Sequence, residues 1–294
     1  MRFWMCLVLA LVCNGAVRAQ PAPGPETLPE GVWRAQMHWV PMTDALGERH
    51  LLYTRICRPV GETPARVAVI AHGSPPFVSA RYAMATPSCD SEAARWFLER
   101  GFVVIAALRR GYGATGGAWV EGAQRCDGAD YFSSALETAR DIAATVEYAA
   151  GLPFARPSGM ILVGHSAGGW GALGYNAMPH PRVTAFVSMA GGRGGHYQNQ
   201  ANMNCRPELL IDAAGRLART ATTPMLWIYA ENDSFFAPSL AAAMYRAYTQ
   251  NGGKGEFAPL GPYGQDGHRL FFGAGGSRIW GPLVRRYLAS RPAQ

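Results

Sequence analysis

The chain has 294 residues, 49% of them hydrophobic and 16% charged, with 35 Gly, 21 Pro and 6 Cys. That length supports a large buried core, and the apolar share excludes an intrinsically disordered chain. The formal charge of +7 comes from 26 Arg and one Lys, scattered with only two adjacent pairs (Arg109-Arg110 and Arg285-Arg286), whereas nucleic-acid binding needs clustered charge.

Residues 1–19 begin Met-Arg, continue with an apolar run from Phe3 to Val12 and end in Val17-Arg18-Ala19. One positive charge, a short apolar stretch and small residues before the break predict a secretory signal cleaved after Ala19. The run is too short for a membrane anchor. Cleavage removes Arg2 and Arg18, lowering the charge from +7 to +5, and it predicts a periplasmic or extracellular protein with no stable membrane insertion. Cys6 and Cys13 leave with the signal, so Cys57, Cys89, Cys126 and Cys205 remain. An even number in an oxidising compartment predicts two disulfides, with three possible connectivities.

A Pro-rich lead-in, residues 20–31, reads as flexible. Trp33 to Val40 and His50 to Cys57 alternate like antiparallel strands, and Arg66–Ala71 is a continuous run of the kind buried on both faces. A helix opening at Ser91-Glu92 and closing at Gly101 precedes the buried strand Phe102–Leu108. Tyr131–Ala150 is a long amphipathic helix, and Met160–Val163, Val183–Met189 and Met225–Tyr229 are short apolar strands. Helices are expected at Gly169–Met178, Pro207–Ala218, Pro238–Gln250 and Ile279–Ala289, with a weak strand at Gly255–Leu260. Strands alternating with helices predict an α/β fold, a mostly parallel sheet covered on both faces, forming one domain over residues 32–292.

In such a sheet, ligands bind beyond the carboxyl ends of the strands. After Met160–Val163 stands Gly164-His165-Ser166-Ala167-Gly168, a GxSxG pattern between a strand and a helix, the setting of a nucleophile elbow. A Ser hydroxyl needs an adjacent base oriented by a carboxylate. His268, in a polar Gly-rich loop, is the best base; His165, His180, His72, His38 and His50 are less suitably placed in the chain. Asp233 follows the strand Met225–Tyr229 and is the favoured carboxylate, with Glu231 and Asp266 as competitors. The oxyanion hole is assigned to the backbone N–H of Ala167 and that of Ser74, because Pro75 and Pro76 have none. Each such donor contributes on the order of 3 kcal/mol in the transition state. No HExxH or other metal-ligand spacing is present, and no cofactor or metal is expected.

His72-Gly73, Arg110-Gly111-Tyr112-Gly113, GHSAG, the END ending at Asp233 and the DGH ending at His268 together resemble the α/β-hydrolase superfamily. Within it the chain is similar to secreted bacterial members of the dienelactone-hydrolase and prolyl-oligopeptidase-like groups, from about residue 32 to 290. The resemblance implies a serine hydrolase acting on small-molecule esters, with amides or peptides as the alternative substrates, and it leaves a non-catalytic binding module on the same fold as a further reading. True dienelactone hydrolases use Cys where this chain has Ser166.

Gly191 to Tyr197 reads as a mobile loop over the cleft whose Arg193 or His196 touches substrate. The stretch from there to the next helix is too short for a cap domain. Cys126 and Cys205 both lie in loops beyond strand ends, so a bond between them would clamp the cleft rim.

Overall fold

A computed structural model describes residues 21–291; the expected signal peptide lies outside them. Nine strands form one sheet: β1 (Gly24–Pro25), β2 (Gln36–Thr43), β3 (Arg49–Cys57), β4 (Val67–Ala71), β5 (Val103–Ala107), β6 (Met160–His165), β7 (Val183–Met189), β8 (Met225–Ala230) and β9 (Gly255–Leu260). Their spatial order is β1-β2-β3-β5-β4-β6-β7-β8-β9. The first three run antiparallel to their neighbours, and every pair from β5 through β4 to β9 is parallel.

The central strands are continuous apolar runs because both their faces are covered. In β4, Val67, Val69 and Ala71 face one core while Ala68 and Ile70 face the other, the two-residue period of a pleated strand. The first core is closed by α3 (Tyr131–Ala150), α4 (Ala167–Asn176), α5 (Pro207–Ala218) and α6 (Pro238–Gln250). The second is closed by α2 (Glu92–Leu98) and α7 (Gly276–Ala289), whose Trp96, Phe97 and Trp280 pack together. The Ser91 side chain accepts from the Ala94 N–H and caps α2, while Asp130 accepts from Ser133 and caps α3. This is the expected mostly parallel sheet with helices on both faces, and no separate cap domain stands among the described residues.

Several local expectations change; α4 begins at Ala167 rather than Gly169, and α7 at Gly276 rather than Ile279. Gly24 and Pro25, within the stretch read as flexible, pair with Trp39 and His38 at the sheet edge. The first long strand begins at Gln36 rather than Trp33 and runs to Thr43. A short helix, α1 (Val78–Tyr82), follows β4 where no element was expected. No helix among the described residues is long and apolar enough to cross a membrane.

Candidate active site

The β6–α4 turn places Ser166 at φ +54° and ψ −120°, outside the relaxed regions for a residue with a Cβ. Such strain costs on the order of 1–3 kcal/mol and persists only where the surroundings enforce it. Here the Ser166 N–H donates to Met189 O at 2.9 Å, and the two flanking glycines let the backbone close in. A Cβ on Gly164 would stand 2.1 Å from Gly168 O, and one on Gly168 would stand 2.1 Å from Ala71 O. Strand, turn and helix therefore meet at a separation that only glycine permits.

His268 sits in a single 3₁₀ turn between β9 and α7. Its Nδ1 lies 3.1 Å from both carboxylate oxygens of Asp233. Asp233 is 1% exposed, and its Oδ1 also accepts from the Phe235 N–H at 2.8 Å and the Phe236 N–H at 3.0 Å. The carboxylate is thus held by backbone before it orients the imidazole. Among the described residues the ring of His268 hydrogen-bonds to Asp233 alone, which leaves Nε2 unengaged, and His268 and Ser166 line the same cavity of about 390 Å³.

The competing carboxylates have other surroundings. Asp266 accepts from the backbone N–H groups of His268 and Ser234, each at 3.0 Å, and caps the turn that carries His268. Glu231 is exposed at the end of β8. Ala167 is the first residue of α4, so its N–H has no partner within the helix. Ser74 lies on the wall of both cavities that reach Ser166. Serine, aspartate, histidine and the two expected donors thus come together from four separate strand-end loops.

The other histidines have separate roles. His165 is buried with its pKa lowered to about 4, by burial first and by the adjacent His268 second. His72 is lowered to about 3 by burial and by Arg109, and its Nε2 accepts from the Arg109 N–H at 3.1 Å. Both are neutral imidazoles at pH 7.

A second cavity, about 250 Å³, adjoins Ser166 and Ala167 and is not lined by His268. The expected mobile loop forms part of its wall and is anchored. Residues 191–193 are buried. The Cys205 N–H donates to Gly194 O at 3.0 Å, and the Tyr131 hydroxyl donates to Cys205 O. Cys126 is bonded to Cys205 as expected, and Cys57 to Cys89. Arg193 lines the cavity, whereas His196 stacks on Phe235 with ring centres 3.8 Å apart and hydrogen-bonds Ser234.

The sequence reading missed the polar cluster behind this wall. Glu121 accepts from Arg109 Nε at 2.5 Å, from Arg193 Nη2 at 2.8 Å and from the Tyr112 hydroxyl at 2.5 Å. Burial alone would raise its carboxyl, but the Arg109 and Arg193 guanidiniums hold it well below the ordinary range. The available signal was Arg109-Arg110 directly after a wholly apolar strand, since a charge at a buried strand end requires a partner.

A model of the prolyl oligopeptidase family matches residues 87–191. That segment contains Ser166 but ends before Asp233 and His268. No curated protein sequence matches the chain. Among solved structures, an esterase from Pyrococcus furiosus is similar at 14% identity and a TM-score of 0.57, covering 92% of this chain and 97% of its own. Acetyl xylan esterase 1 from Thermoanaerobacterium is similar at 18% identity and a TM-score of 0.56, covering 91% and 88%. Est1E from Butyrivibrio proteoclasticus, solved with ferulic acid bound, is similar at 15% identity and a TM-score of 0.56, covering 85% and 99%. The chain has the α/β-hydrolase fold, and between residues 87 and 191 it carries the sequence pattern of the prolyl oligopeptidase family.

Proposed function

We propose that the chain is an exported serine hydrolase of carboxylic esters. Ser166 Oγ attacks the acyl carbon, His268 Nε2 takes the hydroxyl proton and delivers it to the departing alcohol, and Asp233 holds His268 in the required tautomer. The backbone N–H groups of Ser74 and Ala167 receive the oxyanion. Water then attacks the acyl-enzyme, with His268 as base, and releases the acid.

The observation that carries this reading is the strained Ser166 on one cavity with His268, whose other ring nitrogen is fixed by Asp233 at 3.1 Å. The esterases among the structural neighbours favour an ester substrate. Export is supported by the sequence of residues 1–19 and by the two disulfides. The family match at residues 87–191 favours a peptidase or amidase as the second reading.

A fluorophosphonate probe is expected to label the wild type and not Ser166→Ala. A panel of acyl esters and aminoacyl amides then separates the two readings. Labelling that survives in Ser166→Ala removes the nucleophile assignment, and turnover confined to aminoacyl amides favours the peptidase.

A further inference from the structure

The cavity on the Ala167 side of Ser166 is lined by Arg81 and Arg193 and by no Asp or Glu. Arg193 is 6% exposed, and although its Nη2 is bonded to Glu121 and Thr138, its Nε and Nη1 have no partner among the described residues. Native proteins rarely leave buried guanidinium N–H groups without acceptors. The charge count points the same way. Glu121 is the one carboxylate bonded to both Arg109 and Arg193, so two guanidiniums share a single negative charge and the cluster is left at +1.

Arg81, 9% exposed, forms no ion pair among the described residues and lies with its guanidinium carbon 3.9 Å above the ring of Trp119. The Arg193 guanidinium carbon is 6.0 Å from the same ring. Two cations thus share one indole on the wall of a cavity that opens beside the candidate nucleophile. A desolvated positive field that exceeds its internal counter-charge attracts an anion.

The cavity that His268 lines differs in chemistry. It is lined by His268, Met84, Pro87 and Phe272 and has an almost wholly apolar surface. The general acid must stand next to the departing oxygen, so the alcohol lies on the His268 side and the acyl chain lies on the Arg81–Arg193 side.

We propose that the cavity walled by Arg81, Trp119 and Arg193 is an anion subsite that selects esters whose acyl group ends in a carboxylate. The substrate class is then a monoester of a dicarboxylic acid with an apolar alcohol. Its hydrolysis consumes one water, adds OH to the acyl carbon and returns the proton to the alcohol. This rests on the serine ester-hydrolase reading above.

The test compares kcat/KM for monomethyl adipate and methyl hexanoate, which share chain length and alcohol and differ in the distal carboxylate. The wild type is expected to favour the adipate ester by about tenfold or more, the scale of one charge-assisted hydrogen bond. The ratio is expected to fall towards one in Arg81→Gln and in Arg193→Gln. It is internal to each preparation, so a loss of folded protein cancels. A ratio at or below one in the wild type, or an unchanged ratio in both variants, overturns the subsite.

Calorimetric binding of free adipate keeps the subsite testable without turnover. Binding by the wild type, weakened about tenfold in either variant, supports it, and no binding by the wild type overturns it. Methyl hexanoate turnover and fluorophosphonate labelling of Ser166 report separately on the ester-hydrolase reading. Hydrolysis of methyl hexanoate with labelling, but without any carboxylate preference, therefore removes the subsite and leaves that reading standing.

Discussion

The ring of His165 donates from Nε2 to the backbone carbonyl of His268 at 2.8 Å, tying the residue before the candidate nucleophile to the main chain of the candidate base. The His165 ring also stacks near Phe271 and meets Phe272 edge-on. The β6–α4 turn and the turn after β9, which are separated by 103 residues in the chain, are thereby fixed to each other.

His165 is thus a positioning residue. Replacing it with Ala is expected to lower kcat by about ten- to a hundredfold, the scale of a small misplacement of a reacting group. KM should change much less, and the pH profile of kcat/KM should keep its shape because His268 and its partner Asp233 are both retained. His165→Gln, which can reach the same carbonyl, should recover part of the loss. Steady-state kinetics across pH on the three proteins check this, and a purely structural role would show equal activity per folded molecule in all of them.

Asp233→Asn should separate folding from chemistry. The Asn oxygen still accepts the Phe235 and Phe236 N–H groups, so the thermal midpoint should stay close to that of the wild type. The amide cannot serve as the anionic partner of Nδ1, and activity should fall by about 10³- to 10⁴-fold. Kinetics and a melting curve on the same preparation suffice, and retention of most activity would transfer the role to another carboxylate.

The two disulfides should differ in their effect on activity. Each closes a long loop, with sequence separations of 32 for Cys57–Cys89 and 79 for Cys126–Cys205, and losing either should cost about 2–4 kcal/mol of stability. Only Cys126–Cys205 lies on the wall of the cavity beside Ser166. The Cys126→Ala/Cys205→Ala pair should therefore alter ester selectivity, whereas Cys57→Ala/Cys89→Ala should alter stability alone. Denaturant titrations paired with a panel of ester substrates distinguish them.

The neutral buried imidazoles set a pH dependence of stability. The pKa values of His72 and His165 are lowered to about 3 and about 4, below their ordinary value of 6.5. Between that value and those the unfolded chain binds protons that the native state refuses, so stability falls as pH falls. Urea midpoints should drop between pH 6.5 and 5, where ordinary carboxylates stay ionised. A flat profile over that interval would show that these rings accept protons without loss of structure.

The legible parts of the sequence were those whose burial repeats along the chain. β4, β5, β8 and the Met160–Val163 part of β6 stood out because a strand covered on both faces is a continuous apolar run. α4 was read two residues late, at Gly169, because it is buried on all sides and has no polar face to mark its start. Gly24–Pro25 is too short to show a period, and α1 spans five residues. Ser166, Asp233 and His268 can be singled out as candidates because each occupies a loop beyond a strand end, where ligands bind in a fold of this kind. The Arg109–Glu121–Arg193 cluster was not legible, since no spacing rule pairs residues 72 positions apart.

Glu121 acts as a shared keystone for the cavity wall. It is bonded to Arg109 at the end of β5, to Tyr112 and Thr138, and to Arg193 beyond β7, and Arg109 is bonded in turn to the His72 carbonyl beside the Ser74 loop. The inner loops therefore cannot drift one at a time, because a change in any of them strands a buried charge in the others. Variation is left to the outer rim, where Tyr197 is more than a third exposed and forms no ion pair or hydrogen bond with the Glu121 cluster among the described residues. Replacements at the rim can therefore reshape the cavity mouth while the geometry around Ser166 stays as it is.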